Sequence, residues 1–313
     1  MVTRSPGTPA ATSPGSPVAS VSTPTVSPTA LASTPGPTAS VAASPTATGA
    51  LPAFSHVWVI VMENHGLERV LGSDKVQYID SLIERYGLAE QYHAVARPSQ
   101  PNYLALFSGS IQGVTDNAPH DITAPTIADQ VEASGRSWRA YAENVPPDCF
   151  TGATAKDGRD GPGEYARKHA PAISFTSISG DPRRCANITD FSAFDPAASD
   201  FAFITPNLCH DAHDCSLGDA DDWLASFLPR ILDSPAYQAG GVVFLTFDES
   251  EGNVPAGGQV ATIVISPDVP RGLHSTVPHD HYSLLRTIQD AWDLGCLANS
   301  CAANTLSEFF PPS

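Results

Sequence analysis

Two apolar runs in this chain end abruptly in acids. His56-Val-Trp-Val-Ile-Val-Met62 leads into Glu63-Asn64-His65-Gly66, and Gly241-Val-Val-Phe-Leu-Thr-Phe247 leads into Asp248-Glu249. Between them Ser99 heads the stretch Ser-Gln-Pro-Asn-Tyr-Leu-Ala-Leu-Phe-Ser-Gly109. Carboxylate oxygens hold hard divalent cations, and a cation beside a hydroxyl lowers its pKa and offsets charge on a transferring phosphoryl group. Each acid-tipped end alone is equally a polar turn; together with Ser99 they form a candidate metal site: Glu63, Asn64, Asp248 and Glu249. Ser99 has two readings. A serine ahead of an apolar helical run caps it, and the same place, at the positive end of the helix dipole, suits a nucleophile directed at an anion. His210, Asp211, His213 and Asp214, crowded between Cys209 and Cys215, and the pair His279 and His281 could ligate a second cation or protonate a leaving group.

These groups need elements to hold them. Runs as apolar as His56–Met62 and Gly241–Phe247 read as strands buried on both faces, the mark of a parallel sheet. Ligands of open α/β sheets gather at the carboxyl ends of such strands, where the acids stand. Spacing predicts helices over 78–86 closed by Gly87, after the Ser99 cap and closed by Gly109, over 124–135, over 219–232, and from His279 to Asp290. Further strands are predicted over 138–142, 200–206 and 261–266. Residues 143–184, rich in Gly, Pro, Asp and Lys, read as a long surface excursion of the kind that covers binding sites, and contain the basic run Tyr165-Ala-Arg-Lys-His169. Strands alternating with helices predict one α/β domain with a mainly parallel sheet.

Composition divides the 313 residues at position 52. Residues 1–52 are almost entirely Ser, Thr, Pro, Ala, Gly and Val, with Arg4 their only charge, and are expected to be a disordered, extended tether. Residues 53–313 are expected to be the catalytic domain. A formal net charge of -17 argues against nucleic acid or anionic membrane as a partner, and an anionic substrate then needs local positive charge, most simply a metal. No apolar run reaches the roughly 20 residues of a bilayer span, and no signal peptide is visible in the chain as it stands. Six cysteines with two close pairs favour disulfides: Cys209 with Cys215, Cys296 with Cys301, and by elimination Cys149 with Cys185. No Cys-x-x-Cys supports a zinc site instead. Tether and cysteines together point to a secreted or cell-wall associated protein.

Val61-Met-Glu-Asn-His65, Pro98-Ser-Gln-Pro-Asn-Tyr-Leu-Ala-Leu106, Trp138-Arg-Ala-Tyr-Ala-Glu143, Lys168-His-Ala-Pro171, Thr205-Pro-Asn-Leu-Cys-His-Asp-Ala-His-Asp-Cys215, Thr246-Phe-Asp-Glu249 and His281-Tyr-Ser-Leu-Leu-Arg-Thr-Ile288 resemble, in order, the motifs of the bacterial phosphoesterase family of acid phosphatases and phospholipase C enzymes, within the alkaline phosphatase superfamily. The resemblance covers about residues 54–310. It implies a three-layer α/β/α sandwich with a mainly parallel central sheet, a serine nucleophile that becomes transiently phosphorylated, and a bound divalent metal. By motif, Ser99 is similar to the nucleophile, and Glu63, Asn64, Asp248, Glu249 and Asp211 to metal or phosphate-contacting positions. His281 and His213 match positions near the second half of the site, where one of them would serve the leaving group; His169 and Asn102 match the substrate side. Arg97 stands where the family usually has His, and could bind a phosphate oxygen bidentately. Gly66 replaces a usual Ser or Thr. The chain is shorter than phospholipase C members and shows no lipid-binding module, which favours a small phosphomonoester over a phospholipase C-like diester. A metal-free serine esterase (Ser99, His281, Asp248) lacks a Gly-x-Ser-x-Gly elbow, and a non-catalytic tethered binding protein has only the tether in its favour. The oxygen-rich ligand set suits Mg, Ca or Mn; the histidines admit Zn.

Overall fold

The structure, a computed structural model, describes residues 51–156, 159–160 and 164–311. The tether read over 1–52 lies outside the described residues apart from Leu51 and Pro52, of which Leu51 packs on the core.

The eight strands of the central sheet are Val57–Met62 (β1), Gly87–Ala89 (β2), Trp138–Ala142 (β3), Ile188–Thr189 (β4), Phe201–Thr205 (β5), Val242–Phe247 (β6), Thr262–Ile265 (β7) and Leu273–Ser275 (β8). Their spatial order is β8-β2-β7-β6-β1-β5-β3-β4. From β6 to β4 every neighbouring pair is parallel, while β7 runs antiparallel to both β6 and β2. Every residue of β1 and β6 is buried, as central strands covered on both faces require.

The cover comes from two sets of helices. Gln77–Arg85 (α1) packs on Leu217–Phe227 (α4), whereas Ser99–Ser108 (α2) packs on Ile127–Ala133 (α3) and His281–Ala291 (α5). Full burial of the middle strands with two separate helix sets makes the expected three-layer α/β/α sandwich. Helix α2 is buried at all ten positions, so it has no solvent face. It stops at Gly109, where φ is 72° and a Cβ would collide with the Leu297 carbonyl.

Three local expectations need correction. Gly87 does not cap α1: it lies inside β2 against the Phe309 ring, where a Cβ has no room. The helix predicted over 219–232 breaks at Leu228, because Pro229 starts a separate turn, Pro229–Leu232. Residues 143–184 are not a surface excursion. Their described residues form short strands and turns around a small second core that includes Val145, Ala155, Tyr165, Ile173 and Cys185. All three expected cysteine pairs form, the two close ones and Cys149–Cys185. Cys149–Cys185 pins this segment, and Cys209–Cys215 closes the loop carrying Asp211 and His213.

Candidate active site

The parallel register that pairs Met62 with Phe247 delivers Glu63 and Asp248 to the same edge of the sheet. Asn64 turns the chain there with φ 56°, a left-handed conformation that Asn tolerates better than most residues. Its backbone N–H donates to Asp248 Oδ1 at 3.0 Å, and its Nδ2 donates to Glu63 Oε2 at 3.1 Å. Ser99 Oγ donates to the same Glu63 Oε2 at 3.0 Å. The strand ends and the helix start therefore converge on one buried carboxylate.

Ser99 is not the cap of α2. It is the first helical residue, Pro98 occupies the cap position, and the Ser99 hydroxyl is spent on Glu63 rather than on a backbone amide. The first turn is also no open row of amides. Gln100 N–H is taken by Asn117 Oδ1 at 3.0 Å, and Pro101 has no N–H. Side chains must supply most of the donors for a bound anion.

Glu63, Asp211, Asp248 and Glu249 are each at most 2% exposed. His169 lies between two of them, Nε2 3.1 Å from Glu63 Oε1 and Nδ1 3.0 Å from Asp211 Oδ2, with its ring stacked on Tyr103. Burial acts to raise Glu63, yet the charge of His169 beside it, with Lys168 further out, holds its carboxyl at about 2. Burial is also opposed at His169, where Glu63 and Asp211 raise the imidazole above its ordinary value. Asp248 has no cation to offset it: burial first, then the charges of Glu63 and Glu249, push it well above the carboxylate range. Burial lifts Glu249 to about 7 against the pull of Arg97.

Glu63 Oε1, Asp211 Oδ2, Asp248 Oδ2, Glu249 Oε2 and His169 Nε2 are buried without a well-formed hydrogen bond. Acceptors crowded in this way are costly unless a cation satisfies them. Glu63, His169 and His213 each bring a ligand atom within 4.8 Å of the others. The residues present fit a divalent cation.

The remaining candidates divide between those at the mouth of this centre and those behind it. Arg97 is at the mouth, its guanidinium 3.4 Å from Glu249 Oε1 and 2.7 Å from the Ser250 carbonyl. His213 is there too, but its Nε2 lies 2.8 Å from Lys168 Nζ, which can only donate, and its Nδ1 lies 2.6 Å from Asp214 Oδ1. Asp211 serves as a support: Oδ1 accepts the His213 N–H and Oδ2 faces His169. His169, expected on the substrate side, is instead enclosed between carboxylates and 2% exposed.

Asn102 is not a phosphate contact, because its Oδ1 accepts the N–H groups of Val95 and Ala96 and its Nδ2 donates to the Ala96 carbonyl. It fixes the loop that presents Arg97. His279 is held by Glu308 at 2.6 Å, near the C-terminal turn Ser307–Phe309. The Lys-His-Ala-Pro run also contains Lys168, which the sequence does not single out. It half-emerges at the mouth, on the 3-10 turn Arg167–His169.

His281 does not face the reacting groups as a leaving-group acid. Its Nε2–H donates to the Asp248 carbonyl at 2.7 Å, so Nδ1 accepts from the Tyr92 hydroxyl at 3.2 Å. Complete burial depresses it to about 4 and keeps it neutral. It positions Asp248 from behind. His281→Ala is therefore expected to cost roughly 1–3 kcal/mol of unfolding free energy, read by urea denaturation, because it strands a buried carbonyl and hydroxyl. An acid catalyst replaced there would lose turnover with stability nearly unchanged.

A profile described as the Phosphoesterase family matches residues 72–295. The chain is 30% identical over 254 residues to a probable acid phosphatase of Kluyveromyces lactis, an alignment covering 77% of this chain and 59% of that protein. It is 29% identical over 255 residues to a phosphatidylinositol-3-phosphatase of Mycobacterium tuberculosis, covering 79% and 80% respectively. The chain thus spans about three fifths of the length of the fungal relative. Among solved structures, a protein of the alkaline phosphatase superfamily from Vibrio parahaemolyticus superposes with a TM-score of 0.52 at 10% identity, over 85% of this chain and 71% of the other. That likeness is one of fold.

Proposed function

The chain belongs to the Phosphoesterase family, and from that premise we propose that it is a metal-dependent phosphomonoesterase with Ser99 as its nucleophile. The observation that carries the reading is the Ser99 hydroxyl held 3.0 Å from Glu63 Oε2, among buried carboxylate oxygens without well-formed hydrogen bonds. Glu63, Asp248 and Glu249 would hold the cation, with His169 and His213 as the nearest imidazoles. When bound, a Mg, Ca, Mn or Zn ion would lower the pKa of the Ser99 hydroxyl and offset charge on the phosphoryl group. Glu63 orients the hydroxyl. Ser99 Oγ forms the new P–O bond as the bond from phosphorus to the ester oxygen breaks, and water then releases phosphate from the phosphoserine. Asn64 and Arg97 border the space that the phosphoryl oxygens would occupy.

The relatives' names support a monoester. Six cysteines paired in three disulfides support an extracytoplasmic location; among the described residues, no helix is long and apolar enough to cross a membrane. The test is a panel of 4-nitrophenyl phosphate, bis(4-nitrophenyl) phosphate and 4-nitrophenyl acetate, assayed with each of the four cations. The expected result is metal-dependent turnover with the monoester preferred. Metal-independent turnover of the acetate would favour a serine esterase, and turnover of none of the three a binding protein.

A further inference from the structure

The site has a charge problem that its catalytic groups do not solve. Four buried carboxylates line it, the chain carries a net -17, and the first turn of α2 has lost the amides of Gln100 and Pro101 as donors. A phosphate monoester near neutral pH brings two further negative charges, whereas a diester brings one. One metal ion offsets only part of this.

Two cationic side chains flank the mouth from different parts of the fold. Arg97, on the loop fixed by Asn102, reaches Glu249 Oε1 at 3.4 Å with its side chain 29% exposed. Lys168 comes from the 143–184 segment and is half-buried, its Nζ 2.8 Å from His213 Nε2. A His213 ring atom lies within 4.8 Å of the Glu63 carboxylate that holds Ser99, and the Lys168 charge is close enough to act on both Glu63 and Glu249. Its bond to His213 uses one ammonium proton, and two of the three remain for other partners. The Asp214–His213 pair aims the ammonium, since His213 Nδ1 bonded to Asp214 leaves Nε2 as the acceptor.

We propose that Lys168 and Arg97 form a two-cation clamp on the phosphoryl oxygens, and that Lys168 is the residue that favours doubly charged monoesters over diesters. This rests on the phosphomonoesterase reading. Each cation would take a different non-bridging oxygen: Arg97 through its fork, Lys168 as a point charge. A monoester has three non-bridging oxygens, one for each of these side chains and one for a bound cation, whereas a diester has two and a single charge, so with the cation in place one half of the clamp would lose its partner.

The experiment compares wild type, Lys168→Met, which keeps length and removes charge, and Lys168→Arg, which restores it. Two readouts are needed: the ratio of kcat/KM for 4-nitrophenyl phosphate over bis(4-nitrophenyl) phosphate, and the Kd of inorganic phosphate by calorimetry on the metal-loaded protein. Lys168→Met should lower the ratio at least about tenfold and weaken phosphate by a similar factor, with Lys168→Arg recovering most of both. An equal fall for both esters, or an unchanged phosphate Kd, would overturn the clamp while leaving the phosphatase reading intact. If wild type hydrolyses neither ester, that reading fails, and the phosphate Kd still decides whether Lys168 binds the anion. Thermal unfolding of both variants guards against simple misfolding, since only a folded Lys168→Met with altered binding counts in favour.

Discussion

Ser99→Ala is expected to lower turnover of 4-nitrophenyl phosphate by roughly 10³-fold or more while the protein stays folded. Ser99 is 2% exposed, and its hydroxyl makes its hydrogen bond to Glu63 Oε2, which keeps a second donor in Asn64 Nδ2. Deleting one oxygen at the first residue of α2 removes no helical hydrogen bond and leaves the carboxylate with a partner. Stability should therefore change by no more than about 1 kcal/mol, measured by urea unfolding beside steady-state kinetics. The large loss in rate with a small loss in stability separates a nucleophile from a structural serine. Phosphate affinity should persist in the variant, because Asn64, Arg97 and Lys168 remain.

Removal of the cation is the second large effect, and it should be legible in stability as well as in rate. Stripped of metal, the folded protein holds Asp248 well above the carboxylate range and Glu249 at about 7, with burial the leading cause in both. For such acids the unfolded chain releases its proton first, so stability contributed below their unfolded pKa is lost as pH rises towards the folded value. His169, raised against the pull of burial, acts in the same direction, because its proton is favoured in the fold. His281, at about 4, acts in the opposite direction, and its effect is largely spent by neutral pH. The chelated protein should therefore lose stability from about pH 4.5 to about pH 7 through Glu249, with Asp248 and His169 carrying the loss further as pH rises, and a saturating cation should raise its Tm more at the upper end of that range. At a hundredfold excess over Kd the gain corresponds to about 2.7 kcal/mol. Activity should vanish on chelation and return on addition of one of the four candidate ions. A Tm gain that is flat in pH would contradict the assignment of these carboxylates as ligands.

What could be seen in the sequence follows from which interactions are local. A run such as Val57–Met62 announces a strand buried on both faces through composition alone, and its acid-ended tip marks a site because the polar residues follow without a transition. Cys209 and Cys215 are close enough in the chain to pair by proximity. The register of β1 against β6, which brings Glu63 beside Asp248, depends on residues about 185 apart and has no local trace. Asn102 shows the same limit: an amide on a helix next to a nucleophile looks like a substrate contact until the returning loop, with Val95 and Ala96, takes every one of its polar atoms. His281 and His169 were drawn towards the substrate because an imidazole's role depends on what lies at each nitrogen, and only the tertiary structure supplies Tyr92, Asp211 and the Asp248 carbonyl. Lys168 was lost inside an aperiodic segment whose packing around Cys149–Cys185 left no periodic signal.

The central claim, that Ser99 attacks phosphorus beside a metal held by the two strand ends, is tested most directly by trapping. Metal-loaded protein turning over 4-nitrophenyl phosphate is quenched in acid within its first turnovers, digested and analysed by mass spectrometry. The account predicts a phosphoryl group on the peptide that carries Ser99, absent from the chelated protein and from Ser99→Ala. Rapid turnover of the ester with that peptide unmodified, or phosphate on another side chain, would contradict it.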